Sequence, residues 1–343
     1  MSPVVVSARS DKLGRDLSNH EFSSLFSSPM WIEALARTYD IEVSASVSGN
    51  GDGHGVILFS HIRDIRGERI VCLPFSDYCD PLVSEAASWK ELVDPLLGCN
   101  APVRLRCLRN SLPAHDARFT LRRRGKWHGI DLTRPEDAMW AGLSTGARQN
   151  IRRASRSGLI VREKRGVDDV RNFHRMHVFV RKNKYRLLAQ PFAFFANLHE
   201  IFSPGDRVTV LMAELDGVPV AGLFLLQWKN VLYYKFNASV DQRWRPNDLL
   251  VWQAMLLGHR RGLTLLDFGL SDLEQPGLVR YKRKFATEER DILFLESQSE
   301  TGLDVRGEEA SEILSQVTEW LTDPAVPDGL SQAAGDKLYR LFA

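Results

Sequence analysis

Residues 264–287 read TLLDFGLSDLEQPGLVRYKRKFAT, and this stretch decides the fold. A short apolar strand, residues 265–268, stops at Gly269, and a polar loop leads to a basic segment at residues 280–285. A loop that returns cations to the tip of the strand before it predicts an anion or oxyanion site. The same pattern is also compatible with an ordinary strand, a loop and a solvated basic helix.

The composition is that of a globular protein with two domains. The chain has 343 residues, of which 44% are hydrophobic and 26% charged, and this length is long for one core. No apolar run approaches the roughly 18 residues of a membrane span, and the apolar stretch near the start of the sequence is too short for a signal peptide, so we expect none. The four cysteines lack a C-x-x-C spacing, so we expect free thiols in a reducing cytoplasm. They are Cys72, Cys79, Cys99 and Cys107.

Charge is unevenly spread along the chain. The net charge is only +2, yet residues 148–186 contain thirteen Lys or Arg and three acidic residues, a local charge of +10. A basic segment in a nearly neutral protein predicts a polyanionic or phosphorylated partner. A pair of solvated helices is the alternative interpretation.

The two halves of the chain share one order of predicted elements. Each has a helix, an antiparallel meander of strands, a second helix and a further strand, and the first meander contains a glycine-rich turn at residues 49–53. We therefore predict an α+β fold with two copies of one domain, at residues 1–145 and 146–343. Each copy is expected to be a mixed, mostly antiparallel sheet flanked by helices.

Familiar catalytic motifs are missing from the sequence. It contains no G-x-S-x-G, no phosphate-binding G-x-x-x-x-G-K-[ST] and no G-x-G-x-x-G. His174 and His177 lack a third ligand at a spacing suited to a metal, so we expect no metal site. Acyl transfer to an amine needs few protein groups, because the amine itself attacks and the protein stabilises an oxyanion. Lys282 or Lys284 is the candidate cation.

Three segments resemble the FemAB/FemX-like branch of the GNAT acyltransferase superfamily. They are RQNIRRASRSGL (148–159), YYKFNASVDQRWRPNDLLVWQAM (233–255) and LDFGLSDLEQPGLVRYKRKFATEE (266–289), and PFSDYCDPL (74–82) is similar to a loop of the family's first half. The resemblance implies two tandem GNAT-like domains without a coiled-coil arm, since residues 190–205 are too few for one. The best-known members transfer an amino acid from aminoacyl-tRNA to an amine of a peptidoglycan precursor.

The resemblance also implies roles for individual residues. Lys282 falls on the lysine that stabilises the tetrahedral intermediate, and Asp267 is a second catalytic candidate. Where the family often has glycine after the second aromatic residue, this chain has Ala286. The substrate-binding candidates are Asp77, Tyr78, Arg148, Asn150, Arg152, Lys235, Arg280 and Tyr281. The candidates for tRNA phosphate contacts are Arg153, Arg156, Lys182, Lys184 and Lys284.

The acyl donor is the main choice that the sequence leaves open. GNAT enzymes that use acetyl-CoA hold its pyrophosphate in a glycine-rich turn at a helix N-terminus. Residues 242–248 stand at that place without a glycine, and they contain Pro246 and Asp248. We therefore expect aminoacyl-tRNA as donor, an amine-bearing peptide or precursor as acceptor, and no bound cofactor. A CoA-dependent N-acyltransferase and a non-catalytic RNA- or peptide-binding module remain alternatives.

Overall fold

The structure, a computed structural model, describes residues 3–9, 13, 17–47, 55–297 and 305–343. The glycine-rich turn predicted at residues 49–53 lies outside these ranges. The chain divides into two compact units. The first comprises Met1–Gly125, Asp291–Val317 and Arg340–Ala343, and the second comprises Lys126–Arg290 and Thr318–Tyr339.

These units differ from the predicted division at residue 145. Ile130, Met139 and Leu143 belong to the core of the second unit, so that unit begins about twenty residues earlier than predicted. The segment after residue 290 returns to the first unit because its strand pairs with a strand there, with Leu293 opposite Cys107. Local sequence patterns do not report such long-range pairing.

The first unit contains one meander and one crossover helix. Its elements are β1 (Val4–Ser7), α1 (Pro29–Tyr39), β2 (Ser44–Val47), β3 (Val56–Asp64), β4 (Gly67–Val71), α2 (Ala86–Leu97), β5 (Val103–Cys107) and the first part of β6 (Phe119–Asp131). Strands β1 to β4 pair antiparallel in chain order, and β5 pairs parallel to β4 after α2. Short 3-10 turns lie at Leu25–Ser27 and Leu112–His115.

Helix α1 begins where the sequence predicts it. The Ser28 side chain accepts a hydrogen bond from the Trp31 backbone N–H at 3.1 Å, and Pro29 occupies the first helical position, where no N–H is needed. Trp31 is buried, and its ring N–H donates to Ser76 Oγ at 2.9 Å. This bond ties α1 to the loop at residues 74–82.

The second unit repeats the plan on a larger scale. After β6 come α3 (Glu136–Gly142), α4 (Thr145–Arg156), β7 (Ile160–Lys164), α5 (Val167–Tyr185), α6 (Phe192–Phe202), β8 (Val208–Leu215), β9 (Val218–Trp228), β10 (Val231–Ser239), α7 (Pro246–Arg260), β11 (Leu265–Asp272), α8 (Pro276–Arg283) and β12 (Glu288–Ser297). The chain passes to the first unit within β12. It ends with α9 (Val305–Leu321), α10 (Asp328–Leu338) and a 3-10 turn at Tyr339–Phe342.

Strands β7 to β10 form an antiparallel meander, and α7 then carries the chain to β11, which pairs parallel to β10. Both units therefore contain an antiparallel meander, a crossover helix and a parallel strand. The predicted α+β class, with mixed and mostly antiparallel pairing in two GNAT-like copies, is confirmed. In the part of the chain that the structure describes, α5 and α6 are joined by residues 186–191, and no coiled-coil arm is present.

None of the described helices has the length and apolar content needed to cross a membrane.

Two buried histidines pack inside a phenylalanine cluster of the second unit. His177 Nε2 lies 2.7 Å from Gln190 Oε1, and its ring contacts Phe195 and Phe236. His174 Nε2 lies 2.9 Å from the Gln190 carbonyl oxygen. Burial lowers the pKa of His177 to about 3. The pair is a packing feature, and the described residues contain no group of side chains suited to a metal.

We predict that His177 makes the stability of the protein depend on pH. Its pKa is lowered in the folded chain, so below about 6.5 the unfolded chain binds a proton that the folded chain does not. Its stabilisation is complete above that pH and is lost as the pH falls towards 3. In His177→Gln, the dependence of the unfolding free energy on pH between 6 and 4 should weaken by on the order of 1 kcal/mol per pH unit.

Urea unfolding at several pH values measures this dependence. His199→Gln is the control, because His199 is only half-buried and contacts the Arg165 carbonyl. An identical pH dependence in the wild type and in His177→Gln would contradict the prediction.

Candidate functional site

The tip of β11 is shaped by one glycine and one carboxylate. Gly269 has a φ of +68°, a left-handed conformation that favours glycine. Its backbone N–H donates to Asp267 Oδ1 at 2.8 Å, and the Asp267 side chain is buried. Asp267 therefore holds the turn that follows it, and the carbonyl groups of residues 269 and 270 are oriented by this turn.

Lys282 places a positive charge at this tip. Helix α8 begins with Pro276 at its first position and carries Lys282 on its buried side, where only 5% of the residue is exposed. Its Nζ donates to the Gly269 carbonyl at 3.0 Å and to the Leu270 carbonyl at 2.9 Å. A buried ammonium is costly without hydrogen-bond acceptors, so these two carbonyls both compensate its burial and fix its position.

The Phe268 ring packs against the Lys282 ammonium and against two tyrosine rings. Lys282 Nζ lies 5.4 Å from the centre of the Phe268 ring, within the range of a cation–π contact. The Tyr234 ring lies 4.7 Å and the Tyr281 ring 6.4 Å from the same centre. Phe268 is thus the shared packing surface for a cation and two phenols.

A polar cluster surrounds the start of α7. Asp248 lies in the first turn of α7, and its Oδ1 accepts a hydrogen bond from Asn150 Nδ2 at 3.0 Å. Lys284 Nζ lies 3.9 Å from the same oxygen. Burial raises the pKa of Asp248 and, together with Tyr234 and Asp248, raises the pKa of Tyr281. The buried Tyr281 hydroxyl has no hydrogen-bond partner among the described residues, and its raised pKa keeps it a neutral phenol.

An open depression of about 470 Å³ lies against α4. Arg152, Arg153 and Arg156 line it together with Trp244, and Gln149 and Ser157 complete the lining. None of the three arginines forms an ion pair with another described residue; Arg152 lies 5.5 Å from the Trp140 ring centre. The opposite face of α4 is fixed in the core by Ala147, Ile151 and Ala154. Guanidinium groups beside an aromatic ring suit phosphate groups and a stacked base.

The turn before α7 lacks the features of a backbone phosphate cradle. Arg245 precedes the helix in the left-handed conformation with a φ of 58°, and Pro246 at the first helical position has no N–H. Asp241 accepts hydrogen bonds from the backbone and side chain of Arg243. Asp248 adds a carboxyl group in the first turn, where an anion would otherwise be favoured.

Two predicted contact residues have structural roles. Arg148 donates to the Ala141 and Leu143 carbonyls at 2.8 and 2.7 Å and so binds the end of α3. Lys182 is only 3% exposed and donates to Asp328 at 2.7 Å and to the Val326 carbonyl. Because its charge is already paired and buried, the expectation that Lys182 contacts a phosphate is corrected: it attaches residues 326–328 to α5.

The remaining candidates are spread over both units. Arg280 is exposed on α8, Lys184 Nζ lies 5.1 Å from the Tyr185 ring centre, and Lys235 Nζ lies 5.5 Å from the Phe236 ring centre. Asp77 and Tyr78 belong to the first unit, where the buried Tyr78 ring packs 5.1 Å from Phe26. The residues brought together in the second unit are Asn150, Asp267, Tyr281, Lys282 and Lys284.

The sequence did not indicate a further pair beside α8. His128 on β6 is fully buried, and its Nε2 lies 3.0 Å from Glu289 Oε2. Arg283 binds both oxygens of Glu289 at 2.6 and 2.8 Å, and Lys126 Nζ lies 3.3 Å from Oε1. His128 and Glu289 are 161 positions apart, so no local motif marks them.

Comparisons with known proteins agree with this geometry. Residues 143–283 match the family model described as an acetyltransferase (GNAT) domain. This range contains α4, the meander, α7, β11 and Lys282. No curated protein matches the sequence.

Solved structures share the fold along almost the whole chain. FemX has a TM-score of 0.65 and 13% identity, with 92% of this chain and all of FemX covered. L-PGS from Bacillus licheniformis has a TM-score of 0.57 and 15% identity, covering 91% of this chain and 98% of that one. A tandem GNAT protein from the clavulanic acid biosynthesis pathway has a TM-score of 0.54 and 10% identity, covering 88% and 99%. The predicted FemX-like resemblance is thereby confirmed at the level of the fold: residues 143–283 match the GNAT domain model, and the chain shares the fold of FemX.

Proposed function

We propose that this protein transfers an aminoacyl group from aminoacyl-tRNA to an amine of a peptide or peptidoglycan-precursor-like acceptor and so forms an amide bond. One observation carries the proposal: Arg152, Arg153 and Arg156 line one depression together with Trp244 and form no ion pair to any described residue. Such a surface fits the single-stranded acceptor end of a tRNA, whose phosphates meet the guanidinium groups while a base stacks on the indole.

The depression is connected to the candidate chemical centre by side-chain contacts. Asn150 lies on the same helix as the three arginines and donates to Asp248, which lies 3.9 Å from Lys284 Nζ. Lys284 follows α8, the helix that carries Lys282. We therefore propose that a donor bound along α4 extends towards the cluster around Phe268.

The start of α7 supports tRNA over CoA as the donor. A pyrophosphate held there would meet a proline without an N–H and the carboxyl group of Asp248. The cations instead lie on α4, where a longer anion can follow the helix. Transfer from an acyl-CoA is the competing function, and supplying charged tRNA or acyl-CoA as the sole donor distinguishes the two.

In the proposed reaction, the neutral acceptor amine attacks the ester carbonyl carbon of the aminoacyl-tRNA. The carbonyl oxygen becomes an oxyanion, and the Lys282 ammonium stabilises its negative charge. The ester C–O bond then breaks, the amide C–N bond remains, and the proton lost by the amine ends on the released ribose hydroxyl. Asp267 contributes by holding the Gly269 turn to which Lys282 is bonded.

Two arginines of the depression provide a test of donor binding. Replacing Arg153 and Arg156 together by Gln should weaken binding of aminoacyl-tRNA, because two phosphate contacts are lost. In a plot of log affinity against log salt concentration, the slope should become less steep by about 0.7 for each lost contact to single-stranded nucleic acid. Filter binding or fluorescence titration at several salt concentrations measures this slope.

Arg175→Gln is the matched control, since Arg175 is an exposed arginine of α5 that lies outside the depression. It should bind tRNA with the wild-type affinity and slope. A double variant whose affinity and salt dependence equal those of the wild type would show that the depression is not the donor site.

Removal of the Lys282 charge tests its role in stabilising the oxyanion. Lys282→Met should lower kcat by about 10²–10³-fold, the range for losing one oxyanion-stabilising group, while donor affinity stays unchanged. Lys282→Arg should recover part of the loss, because the charge is kept. Thermal unfolding of each variant separates this effect from the loss of the bonds to Gly269 and Leu270.

Lys284→Met is the neighbouring control. Its Nζ is within 3.9 Å of Asp248 and is not bonded to the β11 tip, so we expect a smaller loss than for Lys282→Met. A greater loss in Lys284→Met would transfer the role to Lys284. A folded Lys282→Met protein with wild-type kcat would contradict the oxyanion role. Binding of aminoacyl-tRNA without acyl transfer in the wild type and in all variants would favour a non-catalytic module.

A further inference from the structure

His128 is an unusual buried histidine because only one of its ring nitrogens has a protein partner. The residue is fully buried, and Nε2 faces Glu289 Oε2 at 3.0 Å. No described residue hydrogen-bonds to Nδ1. Buried polar atoms normally have a partner, so one that lacks it calls for an explanation.

The surroundings of Glu289 determine which nitrogen of His128 carries the hydrogen. Hydrogen bonds from Arg283 lower the pKa of Glu289 to about 2, so this side chain is a carboxylate at neutral pH. A carboxylate only accepts hydrogen bonds, and the His128 hydrogen therefore sits on Nε2. Nδ1 is then left with a lone pair, ready to take up a proton.

His128 and Lys282 are linked through α8. Arg283 and Lys282 are consecutive residues of this helix: Arg283 fixes Glu289, and Lys282 binds the Gly269 and Leu270 carbonyls. Burial, and then the positive charge of Lys282, lower the pKa of His128. The charged groups that act on the imidazole are Glu289 of β12, which it contacts, and Lys282 and Arg283 of α8. Lys126 of β6 pairs with Glu289.

We propose that His128, held by Glu289, is a positioning residue for Lys282. While the imidazole is neutral, the Lys282 ammonium keeps its place on the Gly269 and Leu270 carbonyls. A proton taken from solvent onto Nδ1 adds a second buried positive charge beside that ammonium, displaces it from the carbonyls and stops transfer. The activity part of this inference rests on the proposed function, whereas the coupling between the two side chains does not.

The lowered pKa of His128 determines how kcat should change with pH. Because the pKa of His128 lies below its usual value of about 6.5, the residue is neutral at neutral pH and becomes charged only under more acidic conditions. The wild-type kcat should therefore fall on the acid side, over the pH range in which His128 titrates. Because the charge of Lys282 lowers the pKa of His128, removing that charge should raise this pKa.

An NMR titration tests the coupling without any substrate. In protein labelled at the histidine rings, the His128 signal is assigned by its loss in His128→Gln. We expect His128 to titrate below its usual range in the wild type and at a higher pH in Lys282→Met. A His128 titration that is unchanged in Lys282→Met would overturn the proposal.

The activity test uses kcat against pH for the wild type, His128→Gln and His174→Gln. Gln at position 128 keeps a donor for Glu289 but does not titrate, so the part of the acid-side fall of kcat that comes from His128 should disappear. The part that comes from protonation of the acceptor amine should remain in every variant. His174 is equally buried but lies in the phenylalanine cluster, and its variant should keep the fall. A profile of kcat against pH in His128→Gln that is identical to the wild-type profile would contradict the proposal. If neither aminoacyl-tRNA nor acyl-CoA supports transfer, the proposed function fails and the NMR titration alone decides the coupling.

Discussion

The contact between the Lys282 ammonium and the carbonyls of Gly269 and Leu270 organises the candidate site around one charge. It requires a glycine in the left-handed conformation, a carboxylate at Asp267 to hold the turn, and a helix that starts at Pro276 and returns to the strand it follows. Each of these features is local in sequence. Together they place a positive charge in a buried position, where it acts more strongly than it would in water.

The other charges of the second unit are divided between binding and structure. Arg153 and Arg156 project from α4 into the open depression, whereas Arg148 and Lys182 hold the end of α3 and the segment at residues 326–328. All four lie within the same basic stretch. A high local charge therefore identifies a region that can bind an anion, but burial and ion pairing decide which of its cations are available.

Sequence patterns predicted much of the fold because most of its signals are local. The D-F-G turn, the meanders and the helix starts at Pro29 and Pro246 depend on residues a few positions apart. The bounds of the two compact units differ from the predicted division at residue 145, and the return of the chain to the first unit depends on β12 pairing with β5. The His128–Glu289 pair was missed for the same reason, since two distant strands bring it together. Burial of Lys182 likewise depends on Asp328, 146 positions away.

The central claim is that the acyl group comes from aminoacyl-tRNA. The most direct measurement is the transfer of a labelled amino acid from charged tRNA to an amine acceptor by the purified protein, with ribonuclease added before the enzyme in one arm and acyl-CoA replacing tRNA in another. We predict amide formation only from intact charged tRNA. Transfer that survives ribonuclease treatment and requires an acyl-CoA would contradict this account.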